Sequence, residues 1–378
     1  MALLDRLSIR DFRNVGRAEL AFPAEGVVII GDNGQGKTNI LEAIYYFQLL
    51  RSVRGARDAD LVRFGASAFH LHATVVTNGE HEISAAFGRG RKRVTADGAD
   101  VKRLSGALGS LPAIVISPRD VALVSGSPSE RRRFLDVALA LTSPRYLNAL
   151  QHYRAALTQR NAALRGVARG VQSDESVAAW EPALATSGAV LLAERVAWMD
   201  RHDSEYARIT AAIGEPEPMT MRYVTSTANP RDAADELSDT LTRKRTLDIR
   251  RGLTHAGPHR DDVALQIGGH DLRTFGSGGQ QRTAAITLRL LEAETLKAHA
   301  GTDPLLLLDD PFAELDVRRS AHILALLQEA VTGQTILTVP RAGDIPPNLS
   351  RLARWHVAAG AIASEAAAGA AAGAHGVR

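Results

Sequence analysis

Apolar residues predict strands in the first third of the chain and helices in its middle. The strand-like runs, which are alternating or continuously apolar, are residues 4–9, 18–22, 26–30, 69–94 and 113–116. Between Ser129 and Asp200 the residues Ala, Leu, Arg and Glu recur at helical spacing, with few β-branched runs. Strands return at residues 262–267, 305–308 and 334–339, with helical patterns at 278–297 and 317–330.

This order predicts a split domain. Residues 1–118 and 252–360 form two lobes of one α/β domain, and residues 119–251 are a mainly helical insertion. From residue 361 the chain is mostly Ala and Gly, which predicts a disordered tail over residues 361–378.

The composition excludes several classes of protein. The 378 residues contain no cysteine, which excludes a disulfide scaffold and any thiolate metal site. The formal net charge is only +3, so the chain is not broadly basic. No signal-peptide core is visible, and apolar runs such as 305–308 are far shorter than the roughly 20 residues of a membrane span. We expect a cytoplasmic protein without membrane association.

A glycine-rich segment between a predicted strand and a predicted helix matches the phosphate-loop pattern G-x-x-x-x-G-K-[ST] at every fixed position. Its residues are Gly31, Asp32, Asn33, Gly34, Gln35, Gly36, Lys37 and Thr38. Glycines let backbone N–H groups surround phosphate oxygens, and the N-terminus of the following helix adds positive potential. The pattern predicts that Lys37 contacts the β- and γ-phosphates of ATP and that the Thr38 hydroxyl binds Mg²⁺.

A second element supplies the carboxylates that such a loop requires. The apolar run 305–308 ends in Asp309, and Asp310 follows. We expect Asp309 to hold Mg²⁺ through water. Asp310 is the candidate catalytic residue, which orients or deprotonates the attacking water in ATP hydrolysis.

The helical pattern before these acids opens with a third glycine-rich segment, Ser277, Gly278, Gly279 and Gln280. Together with the phosphate loop and the paired acids, this order resembles the ABC-type ATPase superfamily. The resemblance implies that Ser277 and the neighbouring amides close over the γ-phosphate held by a second copy of the chain. It also implies that Asp316 lies at that interface, in the D-loop of residues 314–316.

Further segments resemble the RecF family of bacterial recombination mediators. They are residues 7–14, 34–44, 131–136, 159–161, 257–262 and 279–283, with the acids at 309–310 and 314–316. The resemblance covers residues 3–359. Ser277 lies 239 residues beyond Thr38 (277 − 38), a split typical of the chromosome-maintenance and DNA-repair branch, and the insertion shows no sustained heptads.

The resemblance implies an α/β, ABC-type P-loop ATPase head formed by both ends of the chain, with an inserted helical arm. It implies an ATP-dependent homodimer that clamps double-stranded DNA near single-strand gaps. A weak, DNA-stimulated ATPase then releases the DNA. RecO and RecR are the implied partners in loading RecA, with links to replication and the SOS response.

The sequence departs from the ABC pattern in two places and leaves two other functions open. No residue of 337–340 matches the phosphate-sensing histidine, and residues 117–120 lack the lid glutamine. Asp310 stands where many relatives carry Glu, and its shorter side chain is consistent with slow hydrolysis. The alternatives are the nucleotide-binding subunit of a transporter and an ATPase that regulates a nuclease.

Basic clusters are the candidate DNA contacts. Arg91, Lys92 and Arg93 belong to a stretch, residues 87–103, with six basic residues against two acids. Residues 131–133 and 243–245 form further clusters. Each could bind DNA phosphates without contacting bases, and each could equally be a solvated face or pair with nearby acids.

Overall fold

The computed structural model describes residues 1–77, 79–230, 232–312, 317–330 and 333–364. They form two compact units. The first joins Met1–Arg119 to the described residues from Glu292 onward, and the second is Asp120–Leu291. The first unit is therefore built from both ends of the chain.

An antiparallel sheet in the first unit comes from the alternating segments near the N-terminus. Its strands are β1 (Leu3–Phe12), β2 (Val15–Ala21), β4 (Ala68–Val76), β5 (Glu80–Gly88), β6 (Arg91–Ala96) and β7 (Ala99–Asp100). They lie in the order β2-β1-β4-β5-β6-β7. Alternate residues, such as Leu7 and Ile9 of β1, are buried, as expected of a sheet with one covered face. The alternating run predicted at residues 69–94 comprises β4, β5 and most of β6, which pair antiparallel.

A mainly parallel sheet in the first unit comes from continuously apolar runs. Its strands are β3 (Gly26–Ile30), β8 (Ala113–Ile116), β12 (Leu305–Asp309), β13 (Thr335–Val339), β14 (Ala353–Ala358) and β15 (Ala361–Ser364). Their order is β15-β14-β3-β13-β12-β8, and only the β14–β15 pair is antiparallel. Because β3 and β12 each pair parallel with β13, the carboxyl ends of these strands reach the same edge. The helices of this unit are α1 (Lys37–Leu49) and α10 (Val317–Ala330).

The second unit is mainly helical. Its helices are α2 (Ala122–Ser125), α3 (Pro128–Thr142), α4 (Pro144–Ala168), α5 (Asp174–Ala178), α6 (Glu181–Ile213), α7 (Ala234–Arg251), α8 (Leu272–Phe275) and α9 (Gly278–Ala300). Helix α9 continues past Leu291 into the residues of the first unit. The strands β9 (Met219–Val224), β10 (Asp262–Ile267) and β11 (His270–Asp271) form an antiparallel sheet in the order β11-β10-β9.

A buried arginine organises the packing of α4 against α6 and α7. Arg160 is fully buried and donates hydrogen bonds to Asp248, Glu181 and Thr254. The side-chain oxygen of Asn161 accepts the N–H of Thr254. A charge this deep is tolerated only when it is paired and hydrogen-bonded. Arg160 and Asn161, which belong to the family resemblance, therefore have a structural role in the second unit.

The structure differs from the sequence prediction at two boundaries. The second unit extends to Leu291 rather than ending at residue 251, because β10 pairs with β9 and Asp262 binds Arg131 of α3. The start of the predicted tail forms β15. Ala359 (φ 49°) and Gly360 (φ 81°) take the left-handed conformations of a tight hairpin turn between β14 and β15. Residues 365–378 lie outside the described residues.

Helix α6 has 33 residues and an apolar middle that polar and charged residues interrupt. By length and composition alone, the segment Asp174–Ile213 that contains it passes as a membrane span. However, α6 carries Arg195, which is buried within the second unit and donates to Asp136 and Tyr223. Within the second unit α6 buries Leu184, Leu191, Leu192 and Trp198, while 39% of the apolar window as a whole is buried.

Candidate functional site

The loop between β3 and α1 has the backbone conformation that its glycines predict. Gly34 (φ 80°) and Gly36 (φ 116°) are both left-handed, a conformation that most other residues avoid. Gly36 immediately precedes α1, and its carbonyl accepts the N–H of Ile40. The free N–H groups of the first helical turn are therefore available to an anion at this end of α1.

Lys37 is the first residue of α1 and is only 7% exposed. Its Nζ donates to the carbonyl oxygens of Gly31 (2.5 Å) and Asp32 (3.0 Å). Burial lowers its pKa, while the carboxylates of Asp309, Asp310 and Asp32 act in the opposite direction. A desolvated cation at this position interacts more strongly with phosphate oxygens than one in bulk water.

Asp309 connects the phosphate loop to the neighbouring strands. Its Oδ1 accepts hydrogen bonds from Thr38 Oγ1 (3.0 Å) and from Thr338 Oγ1 (2.8 Å). Thr338 is fully buried on β13 and lies directly opposite Asp309 in the parallel register. Thr338 therefore orients the carboxylate of Asp309 toward Thr38. Sequence reasoning missed Thr338, because only the strand register reveals this contact.

Thr38 and Asp309 fit the Mg²⁺ role predicted for them. Hydroxyl and carboxylate oxygens are the ligand types that Mg²⁺ takes from proteins, usually in small number beside phosphate and water. Within the described ranges, no group of three or more His, Asp or Glu side chains is arranged to hold a metal.

Asp310 follows β12 in a left-handed conformation (φ 48°), and its N–H donates to the carbonyl of Thr338 at 3.1 Å. Aspartate is one of the few residue types found in this conformation with any frequency. Backbone strain of this kind clusters at functional sites. The conformation turns the chain at the edge of the sheet where Lys37 and Thr38 lie.

A cleft of 430 Å³ opens at this edge, entirely within the first unit. It is lined by Asn33, Gly34, Gly36, Lys37, Thr38, Asn39, Arg54, Pro118, Arg119, Asp309 and Asp310. The segment 117–120, which is the expected place of the lid glutamine, thus contributes Pro118 and Arg119 to the cleft lining. A site of this size, with cations and paired carboxylates, suits a magnesium nucleotide.

Arg54 is a cleft residue that sequence reasoning missed. Its guanidinium binds the carboxylate of Glu42 and donates to Asn39 Oδ1 at 2.5 Å. Burial would raise the pKa of Glu42, but hydrogen bonds from Arg54, Arg13 and Ser52 outweigh burial and hold the pKa below its usual value. Glu42 therefore stays charged and anchors Arg54 at the wall of the cleft.

The segment Ser277 to Gln280 forms the N-terminus of α9, in the second unit. The N–H of Ser277 donates to Gln280 Oε1 (2.9 Å), and the N–H of Gln280 donates to Ser277 Oγ (3.3 Å). This reciprocal pair is a capping box. A Cβ added to Gly278 would meet no atom within 4 Å, so the helix end is open to a ligand. Asp316 lies outside the described residues.

The basic residues of β6 differ from one another. Lys92 binds Asp58 at 2.8 Å and the carbonyl of Leu50 at 2.5 Å, so its ammonium is engaged within the first unit. Arg93 is exposed and pairs with Asp100 at 2.7 Å, and Arg91 is exposed at the start of the strand. This placement argues against Lys92 as a phosphate contact and leaves Arg91 and Arg93 as candidates.

The two other clusters are partly engaged as well. Arg131 is buried and binds Asp262 through two hydrogen bonds. Arg245 binds Glu181, the carboxylate that also binds Arg160. These pairs stabilise the second unit, so neither cluster is a simple solvated face.

Proteins of one family match most of this chain. The sequence matches the family profile described as RecF/RecN/SMC N terminal domain over residues 3–345. It is 36% identical to the DNA replication and repair protein RecF of Roseiflexus castenholzii, covering 94% of this chain and 98% of that protein. The chain belongs to the RecF family. RecF of Bacillus subtilis is 34% identical, with 90% and 94% covered.

Solved structures agree with membership of the RecF family. The structure of the recombination mediator protein RecF with ATP, in the RecFOR pathway, is similar with a TM-score of 0.88 and 28% identity over 96% of this chain and 97% of that one. A Smc head domain from Pyrococcus furiosus is similar in fold, with a TM-score of 0.54 and 16% identity over 99% and 98%. The predicted ABC-type ATPase head with an inserted helical arm is confirmed. RecF-family membership argues against the transporter subunit and the nuclease regulator.

Proposed function

We propose that this protein is an ATP-dependent DNA-binding protein of recombinational repair. ATP and Mg²⁺ bind in the cleft of the first unit, and two ATP-bound copies close on double-stranded DNA near single-strand gaps. Slow hydrolysis releases the DNA. The supporting observation is that Thr38 and Thr338 both donate hydrogen bonds to Asp309 beside Lys37. The chain is also similar over nearly its whole length to an ATP-bound RecF structure.

The residues of the cleft divide the chemistry among them. Lys37 and the loop amides bind the β- and γ-phosphates, and Arg54 adds a second fixed cation at the cleft wall. Thr38 and Asp309 would hold magnesium, which would supply positive charge to the phosphates. Asp310 orients or deprotonates the attacking water, and Ser277 of a second copy donates to the γ-phosphate.

The descriptions of the relatives support the biological part of this proposal. They name DNA replication and repair and the RecFOR pathway. We propose that this chain binds duplex and gapped DNA. Its partners are RecO and RecR, and it promotes RecA loading after DNA damage. We propose that it acts in the cytoplasm.

Replacing Lys37 by methionine should weaken ATP binding about 10- to 100-fold. The substitution removes charge-assisted hydrogen bonds worth about 1.5–3 kcal/mol and keeps a side chain of similar length. Titration with a fluorescent ATP analogue measures the affinity. Lys297→Met is the matched control, because Lys297 binds Asp303 in the same unit and does not line the cleft. Equal ATP affinity in Lys37→Met and the parent would remove Lys37 from the nucleotide site.

Neutralising Arg91 and Arg93 together should lower affinity for duplex DNA and flatten the slope of log K against log salt. Each lost phosphate contact removes about 0.9 from that slope. Fluorescence anisotropy at several salt concentrations gives the slope. The control variant carries Arg201→Gln and Arg208→Gln, which together remove two positive charges from α6. An equal change in both double variants would indicate only a net-charge effect, and an unchanged slope would exclude the β6 residues as contacts.

A further inference from the structure

Gln35 belongs to the phosphate loop but does not face the cleft. Its neighbours on both sides, Gly34 and Gly36, line the cleft, whereas Gln35 is absent from the lining among the described residues. The hydrogen-bond partners of Gln35 therefore lie outside the cleft.

Two turns from opposite ends of the chain hold Gln35. Its Oε1 accepts the N–H of Ala359 at 2.6 Å, and its carbonyl accepts the N–H of Gly360 at 2.9 Å. Both donors belong to the β14–β15 turn. The same carbonyl accepts Asn14 Nδ2 at 3.0 Å, from the β1–β2 turn, and Asn14 Oδ1 accepts Asn39 Nδ2 at 2.8 Å. Both the side chain and the backbone of Gln35 are therefore restrained.

The turns approach the loop too closely to admit further side chains. A Cβ on Gly36 would lie 2.7 Å from Asn14 Oδ1, and one on Gly360 would lie 2.4 Å from the Asn14 carbonyl oxygen. A Cβ on Gly31 would lie 2.4 Å from the carbonyl oxygen of Val357 on β14. The loop glycines therefore allow docking against the C-terminal hairpin as well as approach to phosphate.

We propose that the β14–β15 turn is a positioning clamp for the phosphate loop, and that Gln35 is the positioning residue through which the clamp acts. A loop with two left-handed residues has many alternative conformations, and ordering it on binding costs free energy. Hydrogen bonds that hold Gln35 beforehand orient the loop amides toward the phosphates. The proposal rests on ATP binding at this loop.

Gln35→Met tests the clamp, because methionine keeps the length of the side chain but cannot accept the Ala359 N–H. We expect ATP and ADP affinity to fall about 5-fold, the worth of one neutral hydrogen bond. Gln35→Glu retains an acceptor but adds a negative charge near the phosphates, so the two variants are compared at high salt, where we expect Gln35→Glu to bind ADP more tightly than Gln35→Met does. Gln328→Met is the matched control, since it removes an acceptor of Asn348 remote from the loop. Thermal unfolding midpoints of all variants are measured in parallel.

Gly360→Ala tests the clamp from the other side. Its Cβ clashes with the Asn14 carbonyl, so it should weaken nucleotide binding, and combining it with Gln35→Met should add little further loss. If Gly360→Ala does not fold, the comparison of Gln35→Met with Gln35→Glu decides. Parent-like affinity in Gln35→Met, beside weakened binding in Lys37→Met, would overturn the clamp alone. Parent-like affinity in Lys37→Met would instead overturn the nucleotide site.

Discussion

Asp310→Asn should bind ATP normally and hydrolyse it about 10²- to 10⁴-fold more slowly than the parent, the usual contribution of a general base. Asparagine keeps the shape of the side chain and tolerates the left-handed conformation of residue 310, but it cannot accept a proton. An ATP-bound dimer should therefore accumulate in the presence of Mg²⁺. Phosphate release in a single turnover and light scattering measure the two effects.

The control for Asp310→Asn is Glu25→Gln. It removes one exposed carboxylate next to the opposite end of β3, within the same unit. Glu25→Gln should hydrolyse ATP at the parent's rate and should form no trapped dimer. Turnover of Asp310→Asn at the parent's rate would show that another group activates the attacking water.

The phosphate loop and the paired acids could be predicted because their chemistry is contiguous in the sequence. Continuous apolar runs indicate strands buried on both faces, and in parallel sheets the carboxyl ends of strands form the ligand crevice. The prediction that Thr38 and Asp309 share one Mg²⁺ site thus needed only the order of elements. The structure places Thr38 and Asp309 within hydrogen-bond distance, although 271 residues separate them.

Thr338, Arg54 and the contacts of Gln35 could not be predicted in the same way. Thr338 acts through the register of β13 against β12, and a threonine in a strand carries no signal of that register. Arg54 acts through the buried carboxylate of Glu42. Gln35 matches the variable part of the loop pattern, and its partners are backbone N–H groups of a turn more than 300 residues away.

Charged clusters were ambiguous for a different reason. A run of basic residues attracts phosphate and carboxylate alike, so its role depends on which acids the fold brings near. For Lys92 the acid is Asp58, and for Arg131 it is Asp262. Neither pairing follows from spacing along the sequence. Only the folded chain separates the exposed Arg91 and Arg93 from the buried Arg131, which pairs within the second unit.

Ser277→Asp should abolish ATP-induced dimerisation and hydrolysis while leaving ATP binding to the single chain intact. Aspartate caps a helix as well as serine does, so α9 keeps its N-terminal cap. Its negative charge repels a γ-phosphate that approaches this helix end. Ser277→Asn is the matched control, because it keeps the cap without the charge and should retain some dimer. Sedimentation with ATP measures dimerisation, and phosphate release measures turnover.

Mixing Ser277→Asp with Lys37→Met tests whether the signature acts on a second copy of the chain. In a mixed dimer, the intact loop of one chain meets the intact Ser277 segment of the other, so one composite site is competent and the second is dead. At an ATP concentration too low to fill Lys37→Met, neither variant alone should be active, and the mixture should recover hydrolysis to at most half of the parent's rate. No recovery in a mixed dimer shown to form would mean that both sites must fire together or that Ser277 serves its own chain. Normal dimerisation and turnover of Ser277→Asp alone would remove the segment from the site, because a carboxylate beside a γ-phosphate cannot be neutral in its effect.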